Sequence, residues 1–255
     1  LRAIRAPLQS SEHESNTRTQ SVINTHLITT KLDPNLLAQV VNIAGICSHE
    51  LSITPVNPGS TLHELFQVTL CVEIGHYLDA IGHPMARGRH GELIVATDTS
   101  QPGQAIGFLM YCPLSGVTGQ CGIYYTAVLP GWRHRGAFKR MLGVMLERYP
   151  SAALSCEIDM VPMYERFGFE VYGYRDGQVK MATGDCSSSA GMMLIDSSAL
   201  EHDPVINQCR DAMLKKHGQA KMVQALIAFS QEEAIRAERA KTFATERLAL
   251  RASSR

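Results

Sequence analysis

The spacing of apolar positions marks out most elements of this chain. Residues 1 to about 25 are polar and aperiodic, and the run QSSEHESNTRTQS offers no face to bury, so a flexible arm is expected there. Order is expected to begin at the β-branched run Thr25-His-Leu-Ile-Thr-Thr. Leu36, Leu37, Val40, Val41 and Ala44 fall at helical spacing and predict a helix from Asn35 to Ile46, with Asp33 as N-cap and Pro34 at the first helical position. The Pro/Gly segment TPVNPGS ends that unit. Ser60 or Thr61 then opens a second helix to about Ala80, carrying Leu62, Leu65, Phe66, Leu70 and Ile74.

After a loop over 82–91, three strands are predicted: Glu92-Leu-Ile-Val-Ala-Thr, Ala105-Ile-Gly-Phe-Leu-Met-Tyr-Cys and Gly122-Ile-Tyr-Tyr-Thr-Ala-Val-Leu. The short turns DTSQPG and PLSGVTG between them predict an antiparallel meander. Pro130 and the loop WRHRG lead into a helix from Ala137 to about Glu147. A strand at Leu154-Ser-Cys-Glu-Ile follows, then a one- to two-turn helix ending at Gly168. The runs Phe169–Tyr174 and Val179–Ala182 flank RDGQ and predict a hairpin. The order of elements gives a mixed α/β sheet.

From Gly184 the pattern changes to a linker, GDCSSSAG, a short apolar run Met192-Met-Leu-Ile, and an Ala/Glu/Lys/Arg-rich stretch that reads as helix to the end. Pro204 starts one helix, Val205 to Lys216, closed by His217-Gly218. The next carries MVQALIAF. Ser230-Gln-Glu-Glu233 has capping-box spacing, so this stretch reads either as two helices bending at Ser230 or as one continuous helix with an incidental serine. Glu232 and Arg236 stand at i,i+4. Met222, Val223, Leu226, Ile227 and Phe229 form an apolar group that needs a cover. The chain's own sheet is one candidate cover. Another subunit or protein is the preferred one.

Composition narrows the classes. Charge is balanced, with 24 Lys plus Arg against 24 Asp plus Glu, which removes a global drive toward nucleic acid or anionic membranes. The tail from Glu201 holds ten Lys/Arg against seven Asp/Glu, a mild +3. No apolar run reaches the ~18 residues of a membrane span, and the N-terminus lacks a secretion-signal pattern. The seven cysteines (47, 71, 112, 121, 156, 186 and 209) include no C-x-x-C pair and are expected to be free thiols of a reducing, cytoplasmic compartment. His63-Glu-Leu-Phe-Gln67 lacks the second histidine of a zinc-binding helix, so no metal is expected.

Two stretches carry chemistry. In Val128-Leu-Pro-Gly-Trp-Arg-His-Arg-Gly-Ala-Phe-Lys-Arg-Met-Leu142 a strand runs through a basic loop into a helix. The first turn of a helix leaves amides without partners and favours negative charge. With Gly136 allowing close approach and Arg133 and Arg135 adding charge, the loop suits a phosphate or pyrophosphate. Taken alone, it also reads as a plain strand–turn–helix with solvated arginines. In Pro162-Met-Tyr-Glu-Arg-Phe-Gly-Phe169, Tyr164 sits on a short helix, where a core aromatic is the simple reading.

Together, in this order and at about thirty residues' separation, the two stretches resemble the GNAT superfamily of acyl-CoA-dependent N-acyltransferases. That pattern joins an Arg/Gln-x-x-Gly-x-Gly/Ala loop to a later Tyr-Glu-x-x-Gly-Phe segment. Here it reads Arg133-His-Arg-Gly136-Ala-Phe138 and Tyr164-Glu-Arg-Phe-Gly168-Phe169. Phe138 departs from the small residue of the pattern, and Glu157-Ile-Asp-Met-Val-Pro replaces the Asn-containing lead-in.

The resemblance implies a central twisted sheet flanked by helices over 26–183, with 184–255 as an appended linker and helical extension. It implies acetyl-CoA as co-substrate. The backbone around Arg133, His134, Arg135, Gly136, Ala137 and Phe138 would hold its pyrophosphate. The strand from Tyr124 through Ala127 and Val128 would face the pantetheine arm, and Tyr164 would protonate the leaving thiolate. Glu73, His76, Tyr124, Glu157 and Asp159 are candidates for the amine-activating base, and each also reads as a surface carboxylate or a satisfied polar side chain.

The expected activity is transfer of an acetyl group to an amine. The acceptor class is left open between a small polyamine or aminoglycoside, a peptide amine and a modified nucleobase. The alternative is a silent member of the same fold that docks through its C-terminal helices onto a protein partner or a second copy.

Overall fold

The computed structural model describes residues 22–52, 55–83, 91–114, 117–184 and 200–253. The expected arm up to residue 21, the loop at 84–90, Cys186 and the Met192–Ile195 run lie outside them.

The described residues open with β1 (Ile23–Ile28), two residues before the sequence suggests. Helix α1 (Pro34–Ile46) follows. Its cap is Asp33, whose side chain accepts from the Asn35 amide at 2.7 Å, with Pro34 at the first position. A short helix absent from the sequence reading, α2 (Ser48–Leu51), comes next, then α3 (His63–Asp79). The meander forms as β2 (Glu92–Asp98), β3 (Gln101–Pro113) and β4 (Gln120–Val128). A 3-10 turn at Pro130–Trp132 leads to α4 (Ala137–Arg148), then β5 (Ser151–Cys156), a second 3-10 turn at Ile158–Met160, and α5 (Val161–Glu165). The hairpin is β6 (Glu170–Arg175) and β7 (Gln178–Ala182).

These strands form one seven-stranded sheet in the order β1-β2-β3-β4-β5-β7-β6. All neighbours are antiparallel except β4 and β5. The expected mixed sheet flanked by helices is therefore present. One face packs Ile94, Leu109 and Tyr111 against Met141, Leu142 and Met145 of α4 and against Tyr164 and Phe169. The other packs Val95, Phe108 and Met110 against Val40, Ile43 and Ala44 of α1 and Ile74, Tyr77 and Leu78 of α3.

Two features place the site. First, β4 and β5 pair only at Gln120–Ser151, Cys121–Ala152 and Gly122–Ala153. Beyond those pairs β4 runs on to Val128 and β5 to Cys156 without facing each other in a ladder, so the sheet parts there. Second, β4 has a bulge. Tyr111 faces Ile123 and Met110 faces Tyr125, so Tyr124 is the extra residue. Ile123 lies on the α4 face, whereas Tyr125 and Ala127 lie on the α1/α3 face.

The described part of the tail includes α6 (Pro204–His217), capped by Asp203, and α7 (Gln219–Ser253). The second is continuous. Ser230 does not cap anything, and its Oγ donates back to the Leu226 carbonyl at 3.0 Å. At 35 residues it is about 52 Å long. Its first half, with α6, closes a small apolar cluster on α3, where Met213 and Met222 bury against Val56 and Leu62, and Phe229 meets Phe66 at 4.8 Å. Its second half seals Ala240 and Ala244 completely into the main core beside β6. The expected apolar group is thus divided: Met222 and Phe229 are covered by the chain itself, while Val223, Leu226 and Ile227 face outward. Arg236 pairs with Glu233 at i,i+3, rather than with Glu232.

Candidate active site

The loop after β4 turns through left-handed backbone twice, at His134 (φ 61) and Gly136 (φ 88). The second suits glycine, which has no Cβ to clash there. Gly136 caps α4 without a side-chain hydrogen bond, and the first backbone bond of the helix runs from Arg140 to the Gly136 carbonyl. The amides of Ala137, Phe138 and Lys139 therefore have no intrahelical acceptor and point out of the helix start. His134, Arg135 and Gly136 are exposed, and the Arg135 guanidinium lies 4.7 Å over the Trp132 ring. The set of bare amides, helix dipole and one cation fits an anionic group such as a pyrophosphate.

Arg133 is placed differently from the sequence reading. Its Nε donates to the Val128 carbonyl at 3.0 Å, and its two terminal nitrogens fork onto Glu50 at 2.9 and 2.7 Å. The Glu50 carboxylate holds the guanidinium pKa above its usual value. The side chain thus ties α2 to the end of β4, and only the Arg133 backbone remains with the loop.

Phe138 also has a definite place. Its ring is half-buried and meets Tyr164 edge-on at 5.9 Å and Phe167 at 5.5 Å. A large residue in the motif therefore leaves the helix start uncovered, because the ring packs into the aromatic cluster around α5. Ala127 is buried on the α1/α3 face, and Val128 is partly buried on the other.

Tyr164 is held by packing. Phe169 meets its ring at 5.6 Å, and its carbonyl accepts from the Phe167 and Phe169 amides, closing the turn after α5. Burial and then the neighbouring Cys156 push its hydroxyl pKa well above the ordinary tyrosine value. It keeps its proton throughout the neutral range. Burial and Glu157 likewise push the Cys156 thiol up to about 12, so it is a neutral core thiol.

Of the candidate bases, one lies at the parted strands on the face opposite Tyr164. Glu73 on α3 accepts a hydrogen bond from Tyr125 of β4. Burial raises its carboxyl pKa, with the Tyr125 bond opposing in part. Tyr77 stacks on Tyr124 at 4.6 Å beside it. The other carboxylates and the histidine are committed or remote. Glu157 pairs with Arg236 at 2.6 Å, His76 faces Asp203 at 3.7 Å, and Asp159 is exposed at a cleft of about 200 Å³ with Glu157, Gly177, Arg236 and Arg239. Among the described residues no three His, Cys, Asp or Glu side chains converge on a metal-sized site. No helix there is long and apolar enough to cross a membrane.

The partners Glu50 and Tyr125 carried no sequence signal of their own, since each pairing joins residues more than fifty apart. The doubled Tyr124-Tyr125 on a strand was the one visible trace of the bulge.

The sheet is thus parted between two parallel strands, with an uncapped helix start following one of them. Residues 61–169 match the family model described as Acetyltransferase (GNAT) family, and this part of the chain is a GNAT acetyltransferase domain. Solved structures similar to the chain include the PaiA N-acetyltransferase from Thermoplasma acidophilum in complex with coenzyme A. It is 13% identical, with 64% of this chain and 98% of that chain covered and a TM-score of 0.48. Others are an acetyltransferase of the GNAT family from Staphylococcus aureus Mu50 (14% identical, 64% and 98% covered, TM-score 0.43) and the ribosomal-protein-S18-alanine N-acetyltransferase from Escherichia coli (15% identical, 68% and 100% covered, TM-score 0.39). No curated protein matches the chain.

Proposed function

We propose that the protein transfers an acetyl group from acetyl-CoA to a primary amine. The observation that carries this reading is the parting of β4 from β5 beside the uncapped start of α4, within a GNAT domain. The residues fit the co-substrate. The backbone from Arg133 to Phe138, with Arg135, would hold the pyrophosphate. The open edge of β4 through Ala127 and Val128 would carry the pantetheine arm.

Acetyl-CoA supplies an activated acetyl carbonyl: the amine nitrogen bonds to its carbon, and the carbon–sulfur bond breaks. Glu73 takes the proton that turns the acceptor's ammonium into a nucleophilic amine. Its raised pKa makes it a better base than an exposed carboxylate. Tyr164 gives its proton to the departing sulfur and regains one as the new amide nitrogen sheds its surplus proton. The two groups belong to opposite faces of the sheet, so donor and acceptor meet in the gap from opposite sides. Phe138, turned into the Tyr164 cluster, supports turnover over a silent fold, because it does not fill the phosphate end.

The test is release of CoA thiol from acetyl-CoA across a panel of primary amines. Tyr164→Phe is expected to slow release by ~10²-fold with CoA affinity retained. An unchanged rate contradicts the assignment.

A further inference from the structure

The helix α7 lies outside the family match, yet it grips the segment that carries Tyr164 on both sides. Its residues 236, 240, 244, 247 and 251 fall at intervals of four, four, three and four, which puts them on one face. The two alanines of that face are sealed in the core, so the helix lies close enough for the three arginines to reach past them.

Each arginine meets a glutamate. Arg236 binds Glu157 at 2.6 Å, and its own Glu233 at 2.9 Å. Arg247 reaches Glu165 at 3.5 Å, and Arg251 binds Glu170 at 2.6 Å while donating to the Val171 carbonyl at 2.8 Å.

The three glutamates bracket one stretch of chain. Glu157 starts the 3-10 turn after β5 and follows Cys156, the neighbour of Tyr164. Glu165 is bonded directly to Tyr164, and Glu170 opens β6. The Arg236 contact is built tightly. A Cβ on Gly177, in the β6–β7 turn, would stand only 3.3 Å from the Arg236 Cβ, so a bare glycine lets the arginine lie against that turn. The Arg236 side chain is only 19% exposed, which makes this pair the least solvent-screened of the three.

We propose that Arg236 and Arg247 are positioning residues for Tyr164: α7 is a splint that fixes the Tyr164 segment against the gap between β4 and β5. This rests on the reading of Tyr164 as the acid. A short 3-10 turn and a five-residue helix hold little rigidity of their own, and two ion pairs on a 35-residue helix supply it from outside. The hydroxyl must stay at a fixed distance from the departing sulfur, and small displacements of such a group cost rate steeply.

The test uses the full chain, with CoA thiol release from acetyl-CoA as the rate and CoA titration as the control. The double variant Arg236→Ala/Arg247→Ala is expected to lose roughly tenfold in rate with CoA affinity within about twofold of wild type. In a Tyr164→Phe background the same double change is expected to have no further effect, since both act on one step. The charge swap Glu165→Arg with Arg247→Glu is expected to recover most of the rate lost in Arg247→Glu alone. That swap carries the test if the double variant fails to fold.

Full additivity with Tyr164→Phe, no recovery in the swap, or an unaltered rate in the double variant overturns the proposal. If Tyr164→Phe itself leaves the rate unchanged, the underlying reading fails, which is a separate result.

Discussion

Glu73 shows how one residue's surroundings decide its role. It sits on α3, accepts from Tyr125, and is mostly removed from water. Burial raises its pKa, so the folded state binds its proton more tightly than the unfolded chain does. The stability cost is absent below the ordinary carboxylate range and grows as pH rises through the shifted pKa. Glu73→Gln keeps an acceptor for Tyr125 and removes that cost. It is expected to melt at or above the wild-type temperature at pH 7 and below or equal to it at pH 4, while losing most thiol release. Clear destabilisation at pH 7 would mark Glu73 as a structural residue instead. Arg133 gives the opposite lesson. The sequence places it at a phosphate because basic residues before a helix suit anions, but its fork meets Glu50, 83 residues earlier in the chain. Local pattern cannot see a carboxylate that the fold brings in from a distant segment.

Among the elements, those with strong periodicity and sharp ends were legible. The Asp33-Pro34 start of α1 and the Pro204 start of α6 appear as read, because cap and proline act within three residues. The bend at Ser230 is absent because the helix on both sides is held by packing, on α3 before it and on β6 after it. The parting of β4 and β5 was not legible, since either strand alone looks like any buried strand. Neither was the polar knot on β2. Glu92, only 7% exposed, accepts from the hydroxyls of Tyr111 and Tyr149 and from Arg148. Glu92→Ala leaves the buried Tyr111 hydroxyl without its acceptor, at a cost of about 1–3 kcal/mol. Chemical denaturation is expected to show that loss with CoA affinity unchanged. A loss under about 0.5 kcal/mol would mean water replaces the carboxylate.

At the scale of the whole molecule, the sequence separates a core ending near residue 183 from a tail that seeks a partner, but the structure gives half of that tail to the core. Hydrophobic count alone could not show this, because the residues that α7 buries in the main core are two alanines, Ala240 and Ala244, rather than a broad apolar stripe. A chain ended at Gly184 exposes the faces that Ala240, Ala244 and Met222 cover. It is expected to precipitate or to melt well below the full chain, and a truncated chain with unchanged melting would contradict this packing. The central claim, that the gap beside α4 takes acetyl-CoA, is tested most directly by titrating CoA into the full chain and its Gly136 variants in a calorimeter. Asn at this position tolerates left-handed backbone, and nothing stands within 4 Å of the added Cβ, so Gly136→Asn controls for the side chain alone. The account predicts binding by wild type, weaker binding by Gly136→Asn, and at least ~10²-fold weaker binding by Gly136→Asp, whose charge opposes the pyrophosphate. Equal CoA affinity in folded wild-type and Gly136→Asp proteins, or no CoA binding by wild type, would contradict it.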